Sequence, residues 1–406
     1  MFELIKTHKM FRLYLLYQVF SGIGGGMFSM FMLLSIHMLY QNPVYTGIAG
    51  FLMAVPHIVS FAVGPVVDRR NKVVIMRLTT LLEFLVLSLV AFTPLQEQLG
   101  ALFMFAVILI YSMAALYEAP SSNSLLPQIV PGERILEANS LVDIVSLAGG
   151  IVVGIGLFTS LSEGMDVRFL YGLSAGFLAL AFVFALFLRD MTPKENEVAC
   201  INYVQDLKDG VKFLRGSVLL FLAVAAVTKN FAIEIASVNM PMFAEYHVGV
   251  QGYIVFVLVG LVGGLFASSL IGVLGKRFRV GWLLFVLYIF AGVMRIVFVY
   301  ALPETYLLGL GILFLFSVLS SASGVVYGSM EQKLPPKNMV GRIDTLTTTF
   351  IAIAVTFGAL IGGFLGRIVP MINYVFIYQG ISYMAIGIFL ILVPKVRKLP
   401  KFNEIQ

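Results

Sequence analysis

Six charged side chains interrupt long apolar stretches of the sequence, where a charge is costly. On insertion scales a charged residue at the centre of a membrane helix costs about 2.5–3.5 kcal/mol, so such residues mark functional sites. A carboxyl in such a place can take up a proton from one side of a membrane and release it to the other, and a cation can bind an anion. The six residues are Glu83, Glu118, Asp143, Lys229, Glu234 and Arg295.

The carboxyls are candidates for proton coupling, and Glu118 and Glu234 are the leading ones. At ~1.5 Å per residue, Glu83 lies about 15 Å into its apolar stretch and Lys229 about 17 Å, near the middle of a membrane. The structural alternative is an ion pair. Lys229 could pair with Glu83 or Glu234, and Arg295 could pair with Glu234.

Polar and small residues recur at helical spacing along four of the apolar stretches. Because polar groups that face lipid are costly, each stripe must face protein or water. Tight packing through small residues is the alternative for the glycines, but not for the charged and amide members. The stripes are Gln18, Ser21, Gly25 and Ser29; Tyr111, Glu118 and Ser122; Asn230, Glu234 and Ser237; and Ser317, Ser321, Gly324, Gly328 and Glu331. The predicted substrate-cavity residues are Gln18, Ser21, Tyr111, Ser122, Lys229, Asn230, Arg295, Ser321 and Tyr327.

Twelve apolar segments position these residues, each long enough for the ~20 residues that a helix needs to cross a ~30 Å hydrocarbon core. Charged residues make up only 12% of the chain, against about 25% in soluble domains. The pattern predicts an all-α polytopic membrane protein of twelve transmembrane helices. The segments are 11–39, 46–67, 73–93, 99–125, 137–160, 167–188, 218–245, 250–274, 281–301, 305–331, 343–366 and 371–394.

Lysine and arginine are distributed asymmetrically between the two sides of these segments. Twenty-three of the 27 lie in the termini or in loops on the same side, whereas only Arg168 and Arg367 lie in loops on the other side. Cytoplasmic loops collect Lys and Arg, so we expect both termini in the cytoplasm. The net charge of +6 then faces anionic lipid headgroups rather than nucleic acid. We expect a monomer in the bacterial plasma membrane.

The chain consists of two similar halves joined by a cytoplasmic linker. The run that begins at Pro131 before the fifth segment resembles the run that begins at Pro336 before the eleventh, about half the chain later. Duplicated six-helix halves are the parallel repeat of one large transporter fold. Segment 201–215 places apolar residues at helical spacing and predicts an interfacial amphipathic helix. The predicted domains are 1–190, a linker over 191–217, and 218–406.

The run Gly64-Pro-Val-Val-Asp68-Arg69-Arg70-Asn71-Lys72 ends the second segment and can latch the cytoplasmic ends of helices. Asp68 can pair with the basic residues, and Asp143, only about 9 Å into its segment, is expected to join this cluster. The run resembles the signature loop of the major facilitator superfamily, with Asn71 in place of its second glycine and Val73 in place of its last basic residue. The predicted latch residues are Gly64, Asp68, Arg69, Lys72 and Arg342.

A closer resemblance, to the macrolide-efflux and enterobactin-exporter branch of the drug exporters, covers nearly the whole chain. It is based on Leu16-Tyr17-Gln18, Pro56, Pro120-Ser-Ser-Asn-Ser, Asp206-Leu-Lys-Asp-Gly-Val-Lys-Phe-Leu and Gly341-Arg342. The resemblance implies two pseudo-symmetric six-helix bundles, a cavity lined by helices 1, 4, 7 and 10, and drug export driven by protons. Tyr111 stands where many proton-coupled members carry an arginine, and the fifth segment lacks the proline of the antiporter signature.

The expected function is secondary active transport, foremost proton-coupled export of amphipathic, drug-like or macrolide-like small molecules by alternating access. Uptake or exchange of an anionic metabolite or siderophore, with Lys229 and Arg295 as the anion site, and lipid flipping remain open alternatives. A non-transporting membrane scaffold or sensor is the least favoured. The sequence contains no Walker loop, metal-ligand spacing or catalytic constellation, so we expect no cofactor, no metal and no enzymatic activity.

The topology can be tested by cysteine labelling after Cys200, the only cysteine, is replaced by serine. We expect a cysteine introduced at Asn42 to react with a membrane-impermeant maleimide in intact cells, because Asn42 lies in a predicted outer loop. A cysteine at Lys194 is expected to react only after permeabilisation. The reverse labelling pattern would contradict the predicted topology.

Overall fold

A computed structural model describes residues 8–63, 66–67, 70–131, 134–162, 164, 166–189, 203–275, 277–336, 339–368, 371–401 and 404. Eleven helical segments within these ranges are long and apolar enough to cross a membrane, and a bent pair of helices supplies a twelfth. The prediction of an all-α polytopic membrane protein is confirmed. The long helices are α1 (Lys9–Tyr40), α2 (Pro43–Ala54), α3 (Lys72–Phe92), α4 (Ala101–Ile129), α5 (Ile135–Ser162), α6 (Val167–Phe187), α7 (Leu219–Ser237), α8 (Gln251–Leu274), α9 (Val280–Glu304), α10 (Tyr306–Lys333), α11 (Val340–Ile368) and α12 (Asn373–Leu392).

Prolines change the course of two spans. The second span begins as α2 and continues as a 3-10 helix over Val55–Ala62, which has Pro56 in its first turn. The span predicted over 218–245 is divided, because α7 ends at Ser237 and a short helix, Met240–Val248, follows. Pro241 has no N–H with which to continue the hydrogen-bond ladder of α7. Asn239, at the break, donates from Nδ2 to the carbonyls of Ile235 and Gly362, both at 2.8 Å.

The helices form two compact units. The first comprises Met1–Tyr40 and Leu52–Cys200, and the second comprises Gln41–Phe51 and Ile201–Gln406. Within the first unit α1 packs on α5 and α6, and α3 packs on α4 and α6. Within the second unit α7 packs on α11 and α12, and α9 packs on α10 and α12. Each unit therefore uses the same helix pairings, with the helix numbers shifted by six, as a duplicated bundle requires.

Helix ends in the first unit are held by side chains. Arg77 of α3 donates to three carbonyls at the C-terminal end of α6, those of Ala185 at 3.0 Å, Leu186 at 3.1 Å and Leu188 at 2.8 Å. A cation at this position satisfies carbonyls that have no partner in the helix and complements the helix dipole. The N-terminal end of α3 itself is capped by Asn71, whose side chain accepts from the backbone N–H of Val74 at 2.9 Å.

A glycine pair lets α2 and α11 approach closely within the second unit. A Cβ added at Gly47 would lie 2.6 Å from the Cα of Gly363, and one added at Gly363 would lie 2.7 Å from the Cα of Gly47. Small residues allow membrane helices to pack backbone against backbone in this way. Neither position has room for a side chain.

We therefore expect Gly363→Ala to lower the temperature of thermal unfolding of the purified protein by a few degrees. Overpacking of this kind costs about 1–3 kcal/mol. Gly311→Ala is the matched control, because a Cβ at Gly311 would meet no atom within 4 Å. Equal unfolding temperatures for Gly363→Ala and Gly311→Ala would contradict the close packing of α2 on α11.

Candidate functional site

The first unit contains a polar cavity of about 290 Å³ between α1, α4 and α5. Every residue of the two predicted stripes on α1 and α4 lines this cavity. Helical spacing in the sequence therefore correctly identified which faces of these two helices meet. Small residues at the wall leave the space open. The lining residues are Gln18, Ser21, Gly22, Gly25, Gly26, Ser29, Tyr111, Ala115, Glu118, Ala119, Ser122, Asn123 and Ser146.

Glu118 is the charged group of this cavity, and α1 holds it in place. Ser21 donates from Oγ to Glu118 Oε1 at 2.6 Å, and the hydroxyl of Tyr17 donates to the same oxygen. Tyr17 in turn lies 3.1 Å from Thr80 Oγ1 of α3. One oxygen of the Glu118 carboxyl is thus held at the cavity wall by two hydroxyls of α1.

A second hydrogen-bonded set lies further along the same two helices. Ser122 donates from Oγ to Gln18 Oε1 at 3.2 Å. The Tyr14 hydroxyl lies 3.0 Å from Ser122 Oγ and 3.3 Å from the Ser122 carbonyl. These bonds fix the amide of Gln18 at the cavity wall, where it can meet a substrate.

Glu83 of α3 is almost fully buried, with 1% of its surface exposed. Neither of its carboxyl oxygens has a hydrogen-bond partner among the described residues. It lies three residues after Thr80, and it is close enough to Glu118 for their charges to repel.

Tyr111 of α4 also lines this cavity. Its ring stacks on Phe28 with 3.7 Å between the centroids. A Cβ added at Gly25 would lie 3.2 Å from the Tyr111 hydroxyl, so the glycine leaves room for it. This tyrosine is a fixed, buried neutral group at the cavity wall.

The second unit contains a cavity of about 280 Å³ with a mixed lining. It brings together the predicted cavity residues Arg295 and Ser321, with Ser317 from the stripe on α10 and Ser237 from the stripe on α7. Its remaining wall is mostly apolar and aromatic. The lining residues are Ile233, Ala236, Ser237, Met240, Tyr253, Phe256, Val257, Gly260, Arg295, Leu313, Phe316, Ser317, Ser320, Ser321 and Gln379.

Arg295 lies with its guanidinium carbon over three rings, 5.3 Å from the centroid of Phe298, 4.7 Å from Phe316 and 4.8 Å from Phe376. Its Nε donates to Gln379 Oε1 at 2.5 Å. The α10 and α12 helices therefore hold this arginine of α9, and the rings offer their negatively polarised faces to the cation.

Lys229 makes bonds to neutral groups of α10. Its Nζ donates to the carbonyl of Ser320 at 2.7 Å and to Ser323 Oγ at 3.1 Å. The alternative ion pair of Arg295 with Glu234 is not formed, since Arg295 bonds to Gln379 instead. Lys229 likewise has no ion pair with any carboxylate that the structure describes. Lys229 is a neighbour of the cavity rather than part of its lining.

The other predicted residues of the second unit lie outside the cavity lining. Asn230 donates from Nδ2 to the carbonyl of Ala226, one turn earlier in its own helix. Glu234 is partly buried, and Cβ atoms added at Gly50 and Gly358 would lie within 3.4 Å of its side chain. Tyr327 donates to Glu331 Oε1 at 2.9 Å on α10.

The predicted latch falls mostly outside the described part of the chain. Gly64, Asp68 and Arg69 are not among the described residues, and neither is the side chain of Asp143. Lys72 is buried in the first turn of α3, and Arg342 lies in the first turn of α11. Within the described ranges, no group of three His, Cys, Asp or Glu side chains is placed to hold a metal ion.

Two features of these sites were not predicted from the sequence. Gln379 and the aromatic rings around Arg295 come from helices far apart in the chain, so no local spacing points to them. The position of Glu83 within reach of Glu118 was missed for the same reason, although its place deep in an apolar segment marked it as functional.

Comparison with a family model places most of the chain in one superfamily. Residues 14–354 match the model described as Major Facilitator Superfamily. The Enterobactin exporter EntS of Escherichia coli O1:K1 is 24% identical over 405 residues, which cover 96% of this chain and 93% of the exporter. The protein of the same name from Citrobacter koseri is 25% identical over 419 residues, covering 99% and 95%.

Solved structures share the fold. The nucleoside transporter NupG aligns with a TM-score of 0.74 at 14% identity, covering 94% of this chain and 98% of NupG. A bacterial homologue of the iron transporter ferroportin, in its inward-facing state, aligns with a TM-score of 0.72 at 15% identity, covering 95% and 98%. At these identities the likeness concerns the fold and not the transported molecule.

Proposed function

Because the chain belongs to the Major Facilitator Superfamily, we propose that it is a proton-coupled exporter of amphipathic small molecules that works by alternating access. Family membership makes the chain a multi-pass membrane transporter rather than an enzyme, and it confirms the family predicted from the loop around Asp68. The direction of transport is supported by the exporters of Escherichia coli and Citrobacter koseri, which align with nearly the whole chain.

The observation that carries the proton coupling is the pair of carboxyls in the first unit. Glu118 lines the cavity and accepts two hydroxyl donors, whereas Glu83 lies behind it, buried and without a described hydrogen-bond partner. We therefore assign Glu118 as the group that exchanges its proton with the cavity, with Glu83 as the neighbour whose charge state responds.

The substrate is proposed to bind where polar and apolar groups meet. The cavity of the second unit offers the hydroxyls of Ser317 and Ser321 beside an aromatic wall. Such a mixture of a few polar groups with a largely apolar surface is typical of sites for amphipathic small molecules. The proposed setting is the plasma membrane of a bacterium.

Glu118→Gln is expected to abolish uphill transport, because glutamine keeps the size of the side chain but cannot exchange a proton. Everted membrane vesicles that contain the protein are given an imposed pH gradient. The accumulation of cationic, neutral and anionic fluorescent amphipathic dyes is then measured. Vesicles with the wild-type protein should accumulate at least one dye, and Glu118→Gln vesicles should not exceed the level without a gradient.

Glu234→Gln serves as the matched control, since it makes the same change in a membrane-embedded carboxyl that lies outside the cavity lining. It should retain gradient-driven accumulation. Wild-type accumulation by Glu118→Gln would contradict the assignment, and loss of accumulation in Glu234→Gln alone would move the coupling site to α7.

We further propose that Asp68, Arg69 and Lys72 latch one conformation at the cytoplasmic side, since Asp68 is the only acid in a run with three basic residues. Asp68→Asn should slow dye efflux from intact cells several-fold, while expression and thermal unfolding stay unchanged. Wild-type efflux at equal expression would count against a latch.

A further inference from the structure

The charge of Arg295 has no counter-charge among the described residues. Its side chain is 1% exposed, and its nearest polar contact is the neutral amide of Gln379. The three rings around it attract the cation but provide no hydrogen-bond acceptor of ordinary strength. Its Nη1 is buried and has no hydrogen-bond partner in the described part of the chain.

A second cation, Lys229 of α7, contacts α10, the helix that also supplies the Phe316 ring beside Arg295. Lys229 bonds to the Ser320 carbonyl and to Ser323, and Ser320 also lines the cavity that Arg295 lines. None of the carboxylates that the structure describes forms an ion pair with either cation. Because an uncompensated buried charge is strongly destabilising, two such charges make this part of the second unit favourable for an anion.

The cavity beside Arg295 has the size and lining for a small amphipathic ligand. Its volume is about 280 Å³, close to the lower end of ligand pockets. Phe256, Val257 and Phe316 form an apolar wall, and Ser317 and Ser321 add hydroxyls. Ser317 already donates to the Leu313 carbonyl at 2.9 Å, so its remaining capacity is that of an acceptor.

We propose that this cavity is a carboxylate subsite, in which Arg295 Nη1 binds the carboxylate of an amphipathic monoanion and the apolar wall holds its hydrocarbon body. The planar guanidinium suits a carboxylate, and Gln379 and the rings fix its orientation. Lys229 adds positive potential from outside the lining. The inference rests on the proposed export function, and it narrows the substrate class from amphipathic molecules to amphipathic carboxylates.

The test compares three probes of nearly the same shape, 3-phenylpropionate, 3-phenylpropionamide and 3-phenylpropylamine. Binding to the purified full-length protein in lipid nanodiscs is measured by isothermal titration calorimetry, without any gradient. The carboxylate is expected to bind at least about tenfold more tightly than the amide or the amine, as the loss of charge-assisted hydrogen bonds predicts.

Arg295→Gln should abolish this preference, and Arg295→Lys should retain part of it, because the charge remains without the planar fork. Ser321→Leu fills the cavity and keeps the arginine, so it should weaken binding of the carboxylate even if Arg295→Gln does not fold. Arg367→Gln removes an exposed arginine at the end of α11 and should bind like the wild type.

Equal affinities of the wild type for the three probes, or no carboxylate binding at millimolar concentration, would overturn the subsite. Carboxylate binding that is unchanged by both Arg295→Gln and Ser321→Leu would overturn it as well. These outcomes leave gradient-driven dye accumulation untouched. Conversely, vesicles with Glu118→Gln could accumulate dye normally while binding still showed a carboxylate preference that depends on Arg295. That result would contradict the proton coupling through Glu118 and leave the carboxylate subsite standing.

Discussion

A charge that lies within a membrane-spanning segment must be satisfied by the protein, because hydrocarbon offers it nothing. This constraint explains the arrangement of both cavities. In the first unit, Glu118 is surrounded by hydroxyls of α1, which replace the hydration that it would have in water. In the second unit, Arg295 is surrounded by ring faces and one amide.

Each unit contains a buried ionisable group whose hydrogen bonds are incomplete among the described residues. This group is an acid in the first unit and a base in the second. The first retains a carboxyl, Glu83, with no described hydrogen-bond partner, and the second retains a guanidinium nitrogen of Arg295 in the same condition. A purely structural charge would be expected to have its bonds completed, since an unpaired buried polar group costs about 1–3 kcal/mol or more. Groups left incomplete are therefore the best candidates to meet a ligand or to respond to a change of charge on a neighbouring group.

Much of this arrangement could be predicted from the sequence, because it depends on local periodicity. The lengths of the apolar segments predicted the membrane spans. Polar residues spaced three to four apart predicted the faces of α1 and α4 that line the first cavity. The division of the span predicted over 218–245 was missed, since Pro241 lies inside an apolar run of the right length. The place of Glu234 was also missed. The spacing of residues along α7 determines which face of the helix carries Glu234. The helices that pack on this face include those of Gly50 and Gly358, which are remote in sequence and could not be predicted from it.

The central claim is that Glu118 changes its protonation state during the transport cycle. Purified protein in weakly buffered detergent solution, with a pH-sensitive dye, gives the most direct measurement. Addition of a transported substrate should release protons from the wild-type protein, and the release should be absent in Glu118→Gln although the substrate still binds. Proton release by Glu118→Gln equal to that of the wild type would contradict the claim.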